Sequence, residues 1–245
     1  LYATDANAAK TAARAAFDRI AALNRALSDY DPTSELSRLS QQPPHTAVPL
    51  SPELFDILQR SQVLAEKTHG AFDVTLGPFI RLWRESRRTH ALPAAAALTA
   101  AQHASGFLHL RLDPTARTAT LLRPGMTLDL GGIAKGYAAD EALAVLASHG
   151  FTQAMVAASG DLALGDAPPG KSGWTVELAP FGKTTGTVLV ANAAVSTSAD
   201  TAQFVEIAGK VQHRRQLRLD IAGLFGVGRR PQLGAQLLDV ALDRE

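Results

Sequence analysis

The sequence has no cysteine in its 245 residues and no run of 18 apolar residues. The missing thiol excludes disulfides, zinc–thiolate sites, iron–sulfur clusters and a cysteine nucleophile. The missing apolar run excludes a membrane-spanning helix. The formal net charge is only +1, so the excess of Lys and Arg typical of nucleic-acid-binding proteins is absent as well. We expect no nucleic-acid partner and no transmembrane helix.

Two common types of catalytic site also find little support. The seven histidines are scattered without the spacing of metal ligands. Ser159 does not lie in a Gly-x-Ser-x-Gly elbow, because Ala157 and Ala158 precede it. The sequence therefore favours neither a histidine-based metal site nor a serine hydrolase.

What is present is typical of a globular protein. Hydrophobic residues make up 46% and charged residues 19%, and the length allows one large domain or two small ones. Helical and strand patterns alternate irregularly. The order predicts an α+β fold, in which a mixed, largely antiparallel sheet is packed with helices.

Apolar spacing and capping residues predict the elements of this fold. The expected helices cover residues 7–27, a short segment capped by Thr33 or Ser34, Ser51 to about Lys67, and 98–106, and residues 84–93 are interpreted as a basic loop. The expected strands cover residues 107–112, 118–122, 154–158, 174–178, 187–190 and 204–207.

The stretch from Leu128 to Gly150 predicts a strand, a glycine turn and a helix. The strand is expected to end at Leu130, and the helix to run from about Gly136 to Ser148. Glycines between a strand and a helix let a ligand approach the backbone, and the free N–H groups of the helix favour an anion. A plain tight turn gives the same pattern, so a phosphate site and a structural turn both stay open.

Charged side chains flank this turn. Lys135 lies where its ammonium could meet a phosphate oxygen, and Asp129 could bind a metal or a hydroxyl group. A solvated lysine at a helix start is the simpler alternative. Two further positions carry paired interpretations: Tyr30 either stacks on a ligand ring or plugs its loop, and Asp73 either contacts a ligand or caps the backbone.

Four segments share an order and spacing with a known family. They are residues 28–39, 70–83 and 129–140, and the pair Ser159-Gly160-Asp161 with Ser196-Thr197-Ser198. Together they resemble the FAD:protein FMN transferases of the ApbE family, from Leu1 to about Lys210.

The resemblance implies an activity. Enzymes of that family bind FAD and magnesium, cleave the pyrophosphate, and transfer FMN to a threonine or serine hydroxyl of an acceptor protein with release of AMP. A protein of the same fold that binds FAD without transferring FMN is the alternative, and a remnant that binds no ligand is the third hypothesis.

The resemblance also implies the site residues. Lys135 and Asp129 would be catalytic, and Gly132 would offer its carbonyl oxygen to magnesium. The residues implied to bind FAD are Tyr30, Ala71, Phe72, Asp73, Asp129, Lys135, Ser159, Gly160, Asp161 and Thr197. The implied location is periplasmic or at the cell surface, where any membrane contact would be through a lipid anchor attached upstream of Leu1.

The likeness ends near Lys210, so we predict an ApbE-like domain over residues 1–210 and a divergent segment over 211–245. Family members continue with a His-Ile-x-Asp-Pro-x-Thr-Gly segment and then a helix whose Asp and Thr bind magnesium. Here His213 is followed by two arginines. Two explanations stay open: a frameshift near Lys210, or a diverged C-terminus whose metal ligands come from Asp220, Asp239 or Asp243.

The frameshift hypothesis makes a prediction about the coding DNA. The codons TAC AGC ATC GTC GAC encode Tyr-Ser-Ile-Val-Asp. Preceded by a G and read one nucleotide early, they become GTA CAG CAT CGT CGA, which encode Val-Gln-His-Arg-Arg, the residues at 211–215. Resequencing the gene should therefore reveal the family motif in another reading frame. If all three frames lack the motif, the frameshift hypothesis is wrong.

Overall fold

The computed structural model describes residues 1–178, 186–196, 204–207 and 210–213. The helices in these residues are α1 (Ala6–Leu27), α2 (Glu35–Ser40), α3 (Pro52–Lys67), α4 (Gly77–Thr89), α5 (Ala95–His103) and α6 (Ala134–Ser148). The strands are β1 (Ala47–Pro49), β2 (Leu110–Asp113), β3 (Thr118–Leu121), β4 (Met155–Ala158), β5 (Asp161–Leu164), β6 (Trp174–Leu178), β7 (Gly186–Val190), β8 (Ala193–Ser196), β9 (Phe204–Ile207) and β10 (Lys210–His213). All their pairings are antiparallel. The α+β expectation is confirmed.

The described residues divide into two compact units. The first contains residues 1–23 and 134–196, and the second contains residues 24–133 with the β9–β10 hairpin. In the described part of the chain, no helix is long and apolar enough to cross a membrane.

Small side chains form the core of the first unit. Helices α1 and α6 pack with the start of β4 through a buried cluster of Ala12, Ala16, Ala142, Leu146 and Ala154. Alanines let two helices approach closely, and buried apolar surface stabilises the fold. The guanidinium of Arg19 binds the carboxylate of Glu141 across the two helices, with Nη2 and Oε2 2.7 Å apart. The same unit contains the β4-β5-β8 sheet and the paired strands β6 and β7.

The second unit has a larger aliphatic core. Its sheet has the order β1-β3-β2, and its fully buried side chains come mainly from α2, α3 and α4: Leu36, Leu39, Leu54, Ile57, Leu58 and Phe79. Two helix starts follow the predicted capping. The Ser34 hydroxyl accepts from the Ser37 N–H at 3.0 Å, and the Ser51 hydroxyl accepts from the Leu54 N–H at 3.2 Å.

The basic loop predicted over residues 84–93 is wrong in its first half. Helix α4 continues to Thr89, and its left-handed cap is His90 with φ of 53°. Ser86 is buried within this stretch, while Arg87 and Arg88 are exposed. A density of basic residues that looked irregular is thus the solvated face of an amphipathic helix.

The strand predicted to end at Leu130 is also not formed. Residues 126–130 form neither a helix nor a strand. The backbone is held instead by single bonds: the Leu128 N–H donates to the Ser40 hydroxyl at 3.2 Å, and the Asp129 N–H donates to the Val74 carbonyl at 2.8 Å. Burial of Leu128 and Leu130 fixes the segment without a ladder.

Four strands were not predicted. Strand β1 lies in a proline-rich segment, β5 follows directly after Gly160, and β8 lies in the small, hydroxyl-rich stretch after Asn192. Strand β10 lies in the basic segment after Lys210. Each is short, and its pairing with a neighbouring strand rather than its own propensity defines it.

Gly77 is required where α4 meets the segment before Asp129. A Cβ at this position would lie 2.5 Å from the carbonyl oxygen of Thr127, whereas a Cβ at Gly136 in α6 would meet nothing within 4 Å. We expect Gly77→Ala to destabilise the protein by about 1–3 kcal/mol, and Gly136→Ala to stabilise it by roughly 0.5 kcal/mol because alanine favours helix. Urea unfolding measures both; equal effects of the two substitutions would contradict this account.

Candidate functional site

The side chain of Asp129 is anchored at both of its carboxylate oxygens. Its carboxylate Oδ1 accepts from the Gly131 N–H at 2.8 Å, which closes a local turn. A Cβ at Gly131 would lie 2.9 Å from that same oxygen, so a side chain there would displace the Asp129 carboxylate. Gly132 is exposed, and a Cβ there would lie 3.3 Å from the ring of Phe72. Gly131 therefore leaves room for the Asp129 carboxylate, and Gly132 leaves exposed backbone beside the Phe72 ring.

An arginine bridges Asp129 to a second carboxylate. In Arg84, Nη2 donates to Oδ2 of Asp129 at 2.9 Å, and Nη1 lies 2.6 Å from Oδ2 of Asp29. The Asp129 side chain is only 7% exposed. A planar guanidinium presents donors in several directions, so one arginine can bind two carboxylates at once.

These neighbours act on the ionisation of Asp129 in opposite directions. Burial raises the pKa of the Asp129 carboxyl, and the nearby Asp29 carboxylate raises it further, while the Gly131 N–H and the Arg84 charge lower it. The net effect is a raised pKa. For Arg84, burial lowers the guanidinium pKa, but the two aspartates outweigh burial and raise it, so the cation persists.

Tyr30 lies beside this bridge. The Cζ atom of Arg84 is 4.3 Å from the centroid of the Tyr30 ring, which is the geometry of a cation–π contact. The Tyr30 residue is nevertheless 78% exposed. It does not plug its loop, and that interpretation is wrong.

Asp73 caps the backbone of its turn. Its Oδ1 accepts from both the N–H and the hydroxyl of Thr75 at 2.7 Å, and its Oδ2 accepts from the Phe107 N–H at 2.9 Å. The Thr75 hydroxyl accepts in turn from the Gly106 N–H at 2.7 Å. Burial raises the pKa of Asp73, and these hydrogen bonds offset only part of the rise. Asp73 thus fixes the turn that carries Ala71, which is exposed, and Phe72, which is half-buried.

The first unit holds the remaining candidates. The ammonium of Lys135 is 3.8 Å from Oδ2 of Asp161, and its side chain is half exposed. The hydroxyl of Ser196 donates to Oδ1 of Asp161 at 2.5 Å. Helix α6 begins at Ala134, two residues earlier than predicted, so Lys135 lies in its first turn. The loose ion pair leaves the lysine charge available to an anion.

The turn between β4 and β5 contains Ser159 and Gly160. Ser159 has a φ of 62°, which is left-handed backbone that a serine adopts at a cost of about 1–2 kcal/mol. Thr197 lies outside the described residues.

The described residues gather the candidates into two groups. One comprises Tyr30, Phe72, Asp73, Asp129 and Gly132 in the second unit, and the other comprises Lys135, Ser159, Gly160 and Asp161 in the first. Sequence reasoning missed Asp29 and Arg84. A usable signal was present for Arg84, because Gly77, Arg81 and Arg84 have the i, i+4, i+7 spacing of one helix face.

The described residues do not by themselves fit a magnesium site. No group of three or more His, Asp or Glu side chains that could hold a metal occurs among residues 1–178 and the three shorter described stretches. The Asp161 carboxylate and the Gly132 carbonyl are oxygen donors of the kind magnesium prefers. They supply too few charged ligands for a complete site.

Solved structures of flavin transferases share this fold. The crystal structure of the ApbE protein from Thermotoga maritima matches with a TM-score of 0.76 and 26% identity, covering 84% of this chain and 67% of that one. The apo form of the flavinyl transferase ApbE from Pseudomonas stutzeri matches with a TM-score of 0.70 and 27% identity, covering 78% of this chain and 61% of that one.

The family model of the ApbE family matches residues 2–216. The chain belongs to the ApbE family. Curated relatives named FAD:protein FMN transferase include one from Chlamydia trachomatis, 35% identical over 51% of this chain and 38% of its own length. Another, from Klebsiella pneumoniae, is 30% identical over 68% of this chain and 52% of its own length. The chain thus spans about half, or less, of these relatives.

The bridge between the two aspartates predicts how Asp129 titrates. We expect Asp29→Asn to lower the pKa of Asp129, because it removes a neighbouring negative charge, and Arg84→Ala to raise it, because it removes the cation. Carboxyl ¹³C NMR measures both values, with exposed Asp18→Asn as the control.

The sign of the linked stability follows from the raised pKa. In the folded state Asp129 binds its proton more tightly than the unfolded carboxyl, whose pKa is about 3.9. Its contribution to stability is complete below that value and is lost as the pH rises through the folded pKa. Asp29→Asn should narrow the pH range between the unfolded and the folded pKa of Asp129, over which this contribution is lost. An unchanged Asp129 pKa in this variant would contradict the influence of Asp29 on Asp129.

Proposed function

We propose that this protein is an FAD:protein FMN transferase, which transfers FMN from FAD to a threonine or serine hydroxyl of an acceptor protein and releases AMP. Membership of the ApbE family and the names of the curated relatives support the proposal. The observation that carries it is the segment from Asp129 to Lys135, where an anchored carboxylate, exposed glycine backbone and a loosely paired lysine follow one another.

In this proposal each residue has a role that its surroundings allow. The exposed Tyr30 ring stacks on a planar ring of FAD, and Ala71, Phe72 and Asp73 line the same pocket. Asp129 contacts the nucleotide as a hydrogen-bonding group, and the family resemblance assigns FAD binding to Ser159, Gly160, Asp161 and Thr197 as well. Lys135 binds a phosphate oxygen and stabilises the negative charge that develops during transfer.

The reaction balances without a redox change. The acceptor hydroxyl oxygen attacks the phosphorus of the FMN half of FAD and forms a phosphoester. The bond between that phosphorus and the bridging oxygen breaks, AMP leaves with that oxygen, and the proton of the acceptor hydroxyl passes to solvent water. Lys135 serves this step by position and charge, as phosphoryl-type transfers require.

Magnesium is part of the proposal, because a divalent cation neutralises a diphosphate. Gly132 would offer its carbonyl oxygen to it. We further propose a periplasmic or cell-surface location, with a lipid anchor as the membrane contact; the family resemblance supports both. A protein that binds FAD without transfer is the second candidate, favoured by the lack of a complete cation site among the described residues.

The first test titrates the purified protein with FAD, with and without magnesium, and follows flavin fluorescence and AMP release in the same samples. Metal-dependent AMP release supports the transferase. FAD binding without release identifies the second candidate, and absence of binding overturns both.

A lysine substitution tests the phosphate contact. We expect Lys135→Ala to weaken FAD binding by about 10- to 100-fold, the range for losing one charge-assisted contact, and to slow AMP release at least as much. Lys10→Ala, an exposed lysine of α1, is the matched control and should behave as the wild type. Equal FAD affinities for the two variants would contradict the role of Lys135.

A further inference from the structure

Arg84, whose side chain is 37% exposed, has the contacts of a residue that organises a site. It touches three side chains on two segments: Asp29 and Tyr30 in the loop after α1, and Asp129 before the glycine pair. We propose that Arg84 is a positioning residue for nucleotide binding: the edge of its guanidinium holds Asp129 and its face supports the ring of Tyr30. This inference rests on the proposed function.

Helix α4 provides a fixed base for the guanidinium. One face of the helix contacts the segment before Asp129 at successive turns. Gly77 packs against Thr127, and Nη2 of Arg81 donates to the Thr127 hydroxyl at 2.9 Å. Arg84 binds Asp129 one turn further along. The carboxylate is thereby set in register with the helix.

Backbone hydrogen bonds and a side-chain ion pair both hold the loop that carries Tyr30. The Ser28 hydroxyl accepts from the backbone N–H groups of Tyr30 and Asp31, each at 3.2 Å, and the Ser28 carbonyl accepts from the Ser34 hydroxyl at 2.5 Å. The Asp29 carboxylate then joins this loop to α4 through Arg84. The Ser28 hydrogen bonds and the Asp29 ion pair together fix the backbone position from which the Tyr30 side chain projects.

The exposure of Tyr30 shows which side is left for a ligand. Arg84 covers one face of the ring at 4.3 Å, yet the residue remains 78% exposed. An aromatic ring held by a cation on one face presents its other face in a single orientation. Such a preorganised surface binds a planar ring with less loss of side-chain entropy than a freely rotating tyrosine.

Arginine is the side chain that satisfies all three contacts. Its fork reaches two carboxylates in different directions while its flat face remains available to the ring. A lysine carries the same charge but has no planar fork, so it can serve one carboxylate at a time. The geometry therefore predicts that a positive charge at position 84, without the planar fork of arginine, does not satisfy all three contacts.

A double-mutant cycle tests this role. The wild type, Arg84→Ala, Tyr30→Ala and the double variant are compared for FAD affinity by flavin fluorescence. We expect each single substitution to weaken binding by about 10-fold, and the double variant to lose less affinity than the two single losses combined, because part of the effect of Arg84 passes through Tyr30. Arg84→Lys should recover only part of the affinity.

One control and one further variant distinguish a positioning role of Arg84 from a folding defect. Arg88→Ala, which removes an exposed arginine of the same helix paired with Glu85, should keep the wild-type affinity. Asp29→Asn keeps the guanidinium and removes one of its anchors, so it should weaken FAD binding several-fold. It replaces Arg84→Ala as the deciding variant if the latter does not fold, as judged by circular dichroism.

The outcomes distinguish failure of the proposed function from failure of the positioning role of Arg84. A wild type that does not bind FAD overturns the proposed function and this inference together. A wild type that binds FAD while Arg84→Ala or, in its place, Asp29→Asn binds equally well overturns the inference by itself. Fully additive losses in the double variant would also overturn it, because Arg84 and Tyr30 would then act independently.

Discussion

The nearly buried carboxylate of Asp129 is the constraint on which the second unit depends. Removing a carboxylate from water costs several kcal/mol unless a charge and hydrogen bonds replace the solvent. Arg84 supplies the charge and the Gly131 backbone supplies a hydrogen bond. Arg84 projects from α4 and also contacts the loop that carries Tyr30. The need to pair the Asp129 carboxylate therefore links the glycine pair, the helix and this loop.

The two groups of candidate residues differ in how firmly they are held. Each carboxylate oxygen of Asp129 and Asp73 accepts a hydrogen bond at 2.7–2.9 Å from a backbone N–H group or from arginine. Lys135, in contrast, lies 3.8 Å from Asp161 and is half exposed. In the proposed function, the firmly held groups would orient a ligand ring and the loosely paired lysine would meet phosphate, which suits nucleotide binding.

Local signals predicted the elements that local chemistry forms. Ser34 and Ser51 cap helices as their spacing indicates, and α3 ends at Lys67 as predicted. Prediction failed where a distant partner decides the outcome. The segment before Asp129 has a strand-like pattern, but packing and two single hydrogen bonds hold it, and β8 exists because β5 lies beside it.

The sequence by itself determined the fold class, the bounds of α1 and α3 to within one residue and, through four spaced motifs, the family. It identified Asp129 and Lys135 because they flank a glycine turn that is contiguous in the chain. Only the tertiary structure decided that Asp129 binds Arg84, 45 residues away, and that Asp29 shares the same guanidinium. Such contacts depend on how α4 packs against the segment before Asp129, and neither periodicity nor capping encodes a packing partner that distant in the chain.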